Sequence, residues 1–144
     1  MPLLPENIRG KRDAFDLPRP SVFITGGSQG SVTLNNLAVG LAQRWDSRSD
    51  IAIVLKTGRD NHIDSRGVLH AFDYLDSIGD AYASADVVVS RAGASTIAEI
   101  ATCGLASILV PYPHSLDNDQ DHNAKVLTDL GAAAVVSDAQ ATAE

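Results

Sequence analysis

Apolar positions in this chain come in short blocks separated by polar and glycine-rich stretches. The runs Ser21-Val22-Phe23-Ile24-Thr25, Ile51-Ala52-Ile53-Val54-Leu55, Ala85-Asp86-Val87-Val88-Val89 and Ala106-Ser107-Ile108-Leu109-Val110 are rich in β-branched residues and lack strict alternation. That is the pattern of strands covered on both faces. A weaker run at Val68–Phe72 and a short last one at Ala133–Val136 complete the set. Between them the period changes. Val32, Leu34, Leu37, Ala38, Leu41 and Ala42 share one side of a helix that closes near Trp45, and a short helix fits Ile78–Ser84. Ile97, Ile100 and Ala101 mark a third helix, and a fourth runs from about Gln120 to Leu130, ended by Gly131.

Strands alternating with helices at this pitch predict an α/β fold, a doubly wound, mainly parallel, Rossmann-like sheet. The loops after Thr25, Leu55, Ser90 and Val110 all follow strands. They therefore gather on one edge of the sheet, the edge where such folds bind ligands. Residues 1–20, with four of the six prolines, read as a lead-in linker with at most a short helix around Pro5–Arg9. Residues 21–136 form the domain. The small, polar segment 137–144 reads as a frayed or truncated tail.

The stretch Ser90–Glu99 holds the most suggestive chemistry. It passes from a buried strand through a small-residue turn into a helix, with Ser95 or Thr96 placed to cap the first turn. A helix start offers unpaired N–H groups and the positive end of the dipole, which together favour an anion. Glu99 follows one turn later. A carboxylate accepts two hydrogen bonds at once, which suits vicinal hydroxyls such as those of a ribose, although a solvated helix carboxylate is the commoner fate of a glutamate.

Gly26-Gly27-Ser28-Gln29-Gly30 is a second strand-to-helix turn. Two readings fit it: a main-chain cradle for phosphate, with Ser28 adding a hydroxyl, or a tight turn that needs glycine for its dihedrals. It matches neither the dinucleotide G-x-G-x-x-G pattern nor a P-loop. Asp117-Asn118-Asp119-Gln120 likewise reads as acids at a helix start or as acceptors and an amide for sugar hydroxyls, with Asn123 one turn along.

Composition narrows the class. At 144 residues, 44% apolar and 20% charged, the chain can bury a core as one globular domain. A net charge of −7 argues against nucleic-acid binding. It also means that an anion must be held mainly by peptide amides, since only Lys56, Arg59 and Arg91 fall in the candidate loops. No run is long and apolar enough to insert into a membrane. The single Cys103 has no internal disulfide partner and fits a buried thiol in a reducing compartment. The four histidines, His62, His70, His114 and His122, show no zinc spacing; His114 opens the loop after a strand.

Taken in order, Gly26-Gly27-Ser28-Gln29-Gly30, Ala85–Ile100, Val110-Pro111 and Asp119-Gln120-Asp121-His122-Asn123-Ala124 resemble the C-terminal domain of family 28 glycosyltransferases. The resemblance spans about residues 20–136. It implies the C-terminal half of a GT-B enzyme, the half that binds the nucleotide sugar. In that family Ser28 and the main chain of Ala94, Ser95 and Thr96 would hold the diphosphate, Glu99 would bind the ribose hydroxyls and the main chain at Leu75 would read the uracil edge, with Gly27, Gln29 and Arg91 also among the substrate-binding residues. Asp119, Gln120 and Asn123 would meet N-acetylglucosamine. The implied reaction is metal- and cofactor-free inverting transfer from UDP-N-acetylglucosamine to a lipid-linked muramoyl-pentapeptide in peptidoglycan synthesis. The implied place of the full-length enzyme is the cytoplasmic face of the membrane, peripherally bound. The acceptor site and the catalytic base would belong to an N-terminal domain absent from this sequence, so the isolated domain would bind donor and transfer nothing. Asp119 stands where the family often has Gln or His, and Pro2–Pro5 lacks the arginine of the family's usual lead-in. Two other readings are a subunit of a split UDP-N-acetylglucosamine transferase and a non-catalytic nucleotide-binding regulatory module.

Overall fold

The computed structural model describes residues 10–144. The helix expected around Pro5–Arg9 and the lead-in at Pro2–Pro5 lie outside the described residues. Six strands form one sheet: β1 (Ser21–Thr25), β2 (Ala52–Lys56), β3 (Leu69–Phe72), β4 (Val87–Ser90), β5 (Ala106–Leu109) and β6 (Ala133–Val135). Their spatial order is β3-β2-β1-β4-β5-β6, and every neighbouring pair is parallel. Among the described residues the α-helices are α1 (Val32–Arg44), α2 (Ile78–Ser84), α3 (Ala94–Cys103) and α4 (Asp119–Asp129). Strand order reverses between β1 and β4, so their connections leave in opposite directions and open a crevice at the C-terminal edge.

Alternate residues of the central strands feed two apolar layers. Phe23, Val54, Val88 and Leu109 pack with Tyr82, Ile97, Ile100, Ala124 and Leu127 beneath α2, α3 and α4. Ile24, Ile53, Leu55 and Val89 pack with Leu34, Ala38 and Ala42 of α1. One helix does not cover a six-stranded face. Beyond β4 that face is open, so Ala106 and Ile108 are exposed, and β5 alternates where a fully buried strand was expected.

The helix periods hold with two exceptions. Val32 is 73% exposed instead of buried, because it opens α1 at the rim of the crevice. Ala101 faces solvent, while Ile97 and Ile100 carry the buried stripe of α3. Ser31 caps α1, its hydroxyl accepting from the Leu34 N–H at 3.3 Å. Gly131, at φ 68°, ends α4 in the left-handed conformation that glycine adopts without penalty.

Residues flanking the central domain are packed against it. Phe15 and Leu17 lie on the α2 side of the core, the Phe15 ring 5.4 Å from that of Phe72. Arg19 pairs with Asp86 at the start of β4. The segment 137–144, read from the sequence as a frayed or truncated tail, is not frayed: it forms a 3-10 turn (Asp138–Gln140), buries Ala141 in the α1 layer and places the Ala143 carbonyl against the Arg44 guanidinium. Gly40 of α1 allows that close approach: a Cβ there would meet the Ala143 Cβ at 2.8 Å. Among the described residues no helix is long and apolar enough to cross a membrane.

Candidate functional site

The crevice between the ends of β1 and β4 opens into a cavity of about 650 Å³. One wall is the turn after β1. Its Gly27 N–H donates to Thr25 Oγ1 at 3.2 Å, and Gly27 itself sits at φ 89°. Gly30 is required for a different reason: a Cβ there would fall 2.2 Å from the Thr57 carbonyl oxygen. The loops after β1 and β2 thus pack backbone against backbone, and Asn35 of α1 fastens them by donating to the same carbonyl at 3.1 Å.

The facing wall is the start of α3. The sequence placed Ser95 or Thr96 as its cap; the cap is Gly93, whose extended backbone accepts the first helical bond from Ile97. No side chain caps this end. The amides of Ala94, Ser95 and Thr96 lie in the first turn, where helix geometry supplies no acceptor. A Cβ on Gly93 would meet nothing within 4 Å, so the space in front of these amides is open.

The turn that presents them is held from α4. Gln120 Oε1 accepts from the Ala92 N–H at 3.1 Å and from the Tyr112 N–H at 2.8 Å. Asn123 Nδ2 donates to the Ala92 carbonyl at 3.0 Å. Both amide groups that the sequence offered for sugar hydroxyls therefore brace the main chain of Ala92. With its oxygen occupied, Gln120 keeps the two Nε2 donors for other partners.

Arg91, between β4 and this turn, is a buried cation with 12% of its side chain exposed. Its Nη1 donates to the carbonyls of Val110 at 3.2 Å and Pro111 at 3.4 Å, and the guanidinium carbon lies 5.5 Å from the centre of the Tyr112 ring.

Glu99 lies outside the cavity, one turn down α3 from Ser95 and Thr96. Its Oε2 accepts a 2.6 Å hydrogen bond from the Tyr82 hydroxyl of α2. Burial, then the neighbouring carboxylate, drive the Tyr82 hydroxyl far above the usual phenol range, so it stays a donor. The same two influences raise the Cys103 thiol. Leu75 lies in the loop from β3 to α2 and, like Phe72 and Ile78, packs at the edge of the same layer. In that loop Asp73 is tied to Thr57 Oγ1 and approached by the His62 ring.

Of the residues singled out from sequence, Gly27, Ser28, Gln29, Arg91, Ser95, Thr96 and Gln120 line the cavity. Ala94 sits at its lip as the first residue of α3. Leu75 and Glu99 belong to the α2–α3 side, Asn123 is turned to Ala92, and Asp119 is exposed at the start of α4. Sequence reasoning missed Tyr82, Tyr112 and Asp138. The Asp138 carboxylate reaches the cavity from the segment after β6. Only His114 among the other lining side chains carried a signal, its place after a strand.

Residues 21–144 match the model of the glycosyltransferase family 28 C-terminal domain. The chain belongs to that family. Among curated relatives, a UDP-N-acetylglucosamine--N-acetylmuramyl-(pentapeptide) pyrophosphoryl-undecaprenol N-acetylglucosamine transferase of Desulforamulus reducens is 33% identical over 163 aligned positions, covering all of this chain and 44% of that protein. The Finegoldia magna protein of the same name is 36% identical over 140 positions, covering 91% of this chain and 38% of the relative. The crystal structure of MurG from Acinetobacter baumannii superposes with a TM-score of 0.70 at 30% identity, covering 89% of this chain and 39% of that one. The fold is accordingly that of one half of a GT-B glycosyltransferase, and the chain spans less than half the length of the relatives it matches.

Proposed function

We propose that this chain is the donor-binding half of an inverting N-acetylglucosaminyltransferase and that its ligand is UDP-N-acetylglucosamine. The observation that carries the reading is the uncapped start of α3 across an open gap from the Gly26–Gly30 turn. The turn and the helix start line one space, with the first amides of α3 left without a side-chain cap, which suits a diphosphate in an acidic chain.

The resemblance to the family supports the reading of the rest of the nucleotide. The nucleoside lies on the α2–α3 side, with Glu99, oriented by Tyr82, accepting from both ribose hydroxyls and the main chain at Leu75 meeting the uracil edge. The sugar lies in the cavity toward Asp119 and the free Nε2 of Gln120. In the reaction a hydroxyl of a lipid-linked muramoyl-pentapeptide attacks the anomeric carbon, the bond from that carbon to the diphosphate oxygen breaks, and UDP departs. The base that takes the hydroxyl proton belongs to a partner domain outside this chain. This chain stabilises the charge that grows on the departing diphosphate, through amides already aimed at it and the dipole of α3. The names of the relatives, which state this donor and acceptor, support the assignment. Such an enzyme works peripherally at the cytoplasmic face of the membrane.

Calorimetric titration of UDP, UDP-N-acetylglucosamine, UDP-glucose and GDP against the 144-residue chain tests the reading. Tightest binding of UDP-N-acetylglucosamine, with GDP weak, is expected; equal binding of all four would leave a nucleotide-binding module without donor specificity.

A further inference from the structure

Arg91 is the only lysine or arginine among the described residues lining the cavity, and its charge is already answered. Asp138, at the start of the turn after β6, brings Oδ1 to 2.6 Å from Arg91 Nη1. That oxygen is buried, yet no hydrogen bond of proper geometry reaches it. The contact with Arg91 is an ion pair rather than a well-formed hydrogen bond. A buried carboxylate oxygen in this condition is costly, because water has been removed and only part of its replacement supplied. Arg91 does not depend on it: two carbonyls and the Tyr112 ring hold the guanidinium. The backbone beyond Asp138 is also held independently, by burial of Ala141 and by the Arg44 contact to Ala143. The carboxylate can turn away while both its segment and its partner stay in place.

We propose that Asp138 is a built-in competitor for anions at this cavity. Its carboxylate occupies the position beside Arg91 that a ligand phosphate takes, and it sets how tightly phosphorylated ligands are held. The inference rests on the donor-site reading for the identity of the ligand, while the competition concerns any phosphate. Its consequence is a site that exchanges one anion for another. Affinity for the diphosphate is held down, and the departing group leaves more readily than it would from an unopposed arginine.

The test is calorimetry on the 144-residue chain and its Asp138→Asn variant with three probes: inorganic pyrophosphate, UDP and uridine. Asp138→Ala serves as a second variant, and thermal melts establish that each is folded. Both variants are expected to bind pyrophosphate and UDP about three-fold tighter or more, with the gain shrinking as salt rises and uridine binding unchanged. Unchanged or weaker binding of both anions would overturn the proposal, since Asp138 would then only brace Arg91. If the parent chain binds pyrophosphate and not UDP, the donor-site reading fails and the competition is judged on pyrophosphate alone. If no form of the chain binds pyrophosphate, the competition is refuted even where uridine binds.

Discussion

The Tyr82 hydroxyl donates to Glu99 Oε2 at 2.6 Å, joining α2 to α3 beside the open start of α3. One carboxylate oxygen is thereby fixed and the group as a whole is oriented. Glu99→Gln is expected to weaken UDP binding by about 1–3 kcal/mol, the range for a lost hydrogen bond to a charged group. Tyr82→Phe should weaken it less and lower stability by about 1–2 kcal/mol. Cys103 provides an independent readout. Removing the Glu99 charge takes away one of the two influences holding the thiol up, so iodoacetamide should alkylate Cys103 faster in Glu99→Gln at a fixed pH. Unchanged UDP affinity in Glu99→Gln would remove the ribose role.

Gly93 sits at φ −64° with open space where its Cβ would be. An alanine fits that backbone without strain, so Gly93→Ala should leave stability unchanged or raise it by about 0.4–1 kcal/mol through the unfolded state. Its methyl group would then stand before the amides of Ala94, Ser95 and Thr96. Loss of UDP binding in a variant that melts no lower than the parent is the expected pair of results. UDP affinity equal to the parent's would mean that no ligand approaches Gly93.

Asp119 and Gln120 are neighbours in sequence with different duties. Asp119 is exposed to solvent, whereas Gln120 Oε1 satisfies two backbone N–H groups. Asp119→Ala should weaken UDP-N-acetylglucosamine and leave UDP alone. Gln120→Ala should weaken both ligands and lower the melting temperature, because it strands the partly buried Ala92 N–H at about 1–3 kcal/mol. Equal losses for both ligands in Asp119→Ala would mean that this side chain does not meet the sugar.

Two histidines give opposite pH signatures. Burial lowers the pKa of His70, so the unfolded chain binds a proton first as pH falls below 6.5 and stability drops through that interval toward the lower folded value. His62 is raised by Asp64 and Asp73, so its contribution is full below 6.5 and fades as pH rises through the higher folded value. His62 is solvent-exposed, and salt should erase its share. Denaturation curves from pH 5 to 8 should show a shallower acid-side loss in His70→Gln; an unchanged slope would contradict the burial argument.

Much of this was legible in the sequence because the central strands are the most constrained part of the molecule. Ser21–Thr25 reads correctly to the residue, since β1 has a strand on each side and apolar layers above and below. Edges were less legible. Ile108 looks like a core residue from its neighbours, and only the uneven division of helices between the two faces exposes it. Ser95 and Thr96 look like caps because their residue types favour that role, but the backbone of Gly93 turns first. Glycine-rich turns announced the cavity, while its acidic member did not announce itself. Asp138 sits among small polar residues with no periodicity, and its partner Arg91 lies 47 residues away. Gln120 and Asn123 were found by type and spacing, but their hold on Ala92 depends on how α4 meets α3.

The most direct test of the donor-site account is an amide-resolved NMR titration of the chain with UDP. The N–H signals of Ala94, Ser95, Thr96, Gly27 and Ser28 should shift together on one binding curve, with those of β6 unmoved. UDP binding that leaves the Ala94–Thr96 amides unperturbed would contradict it.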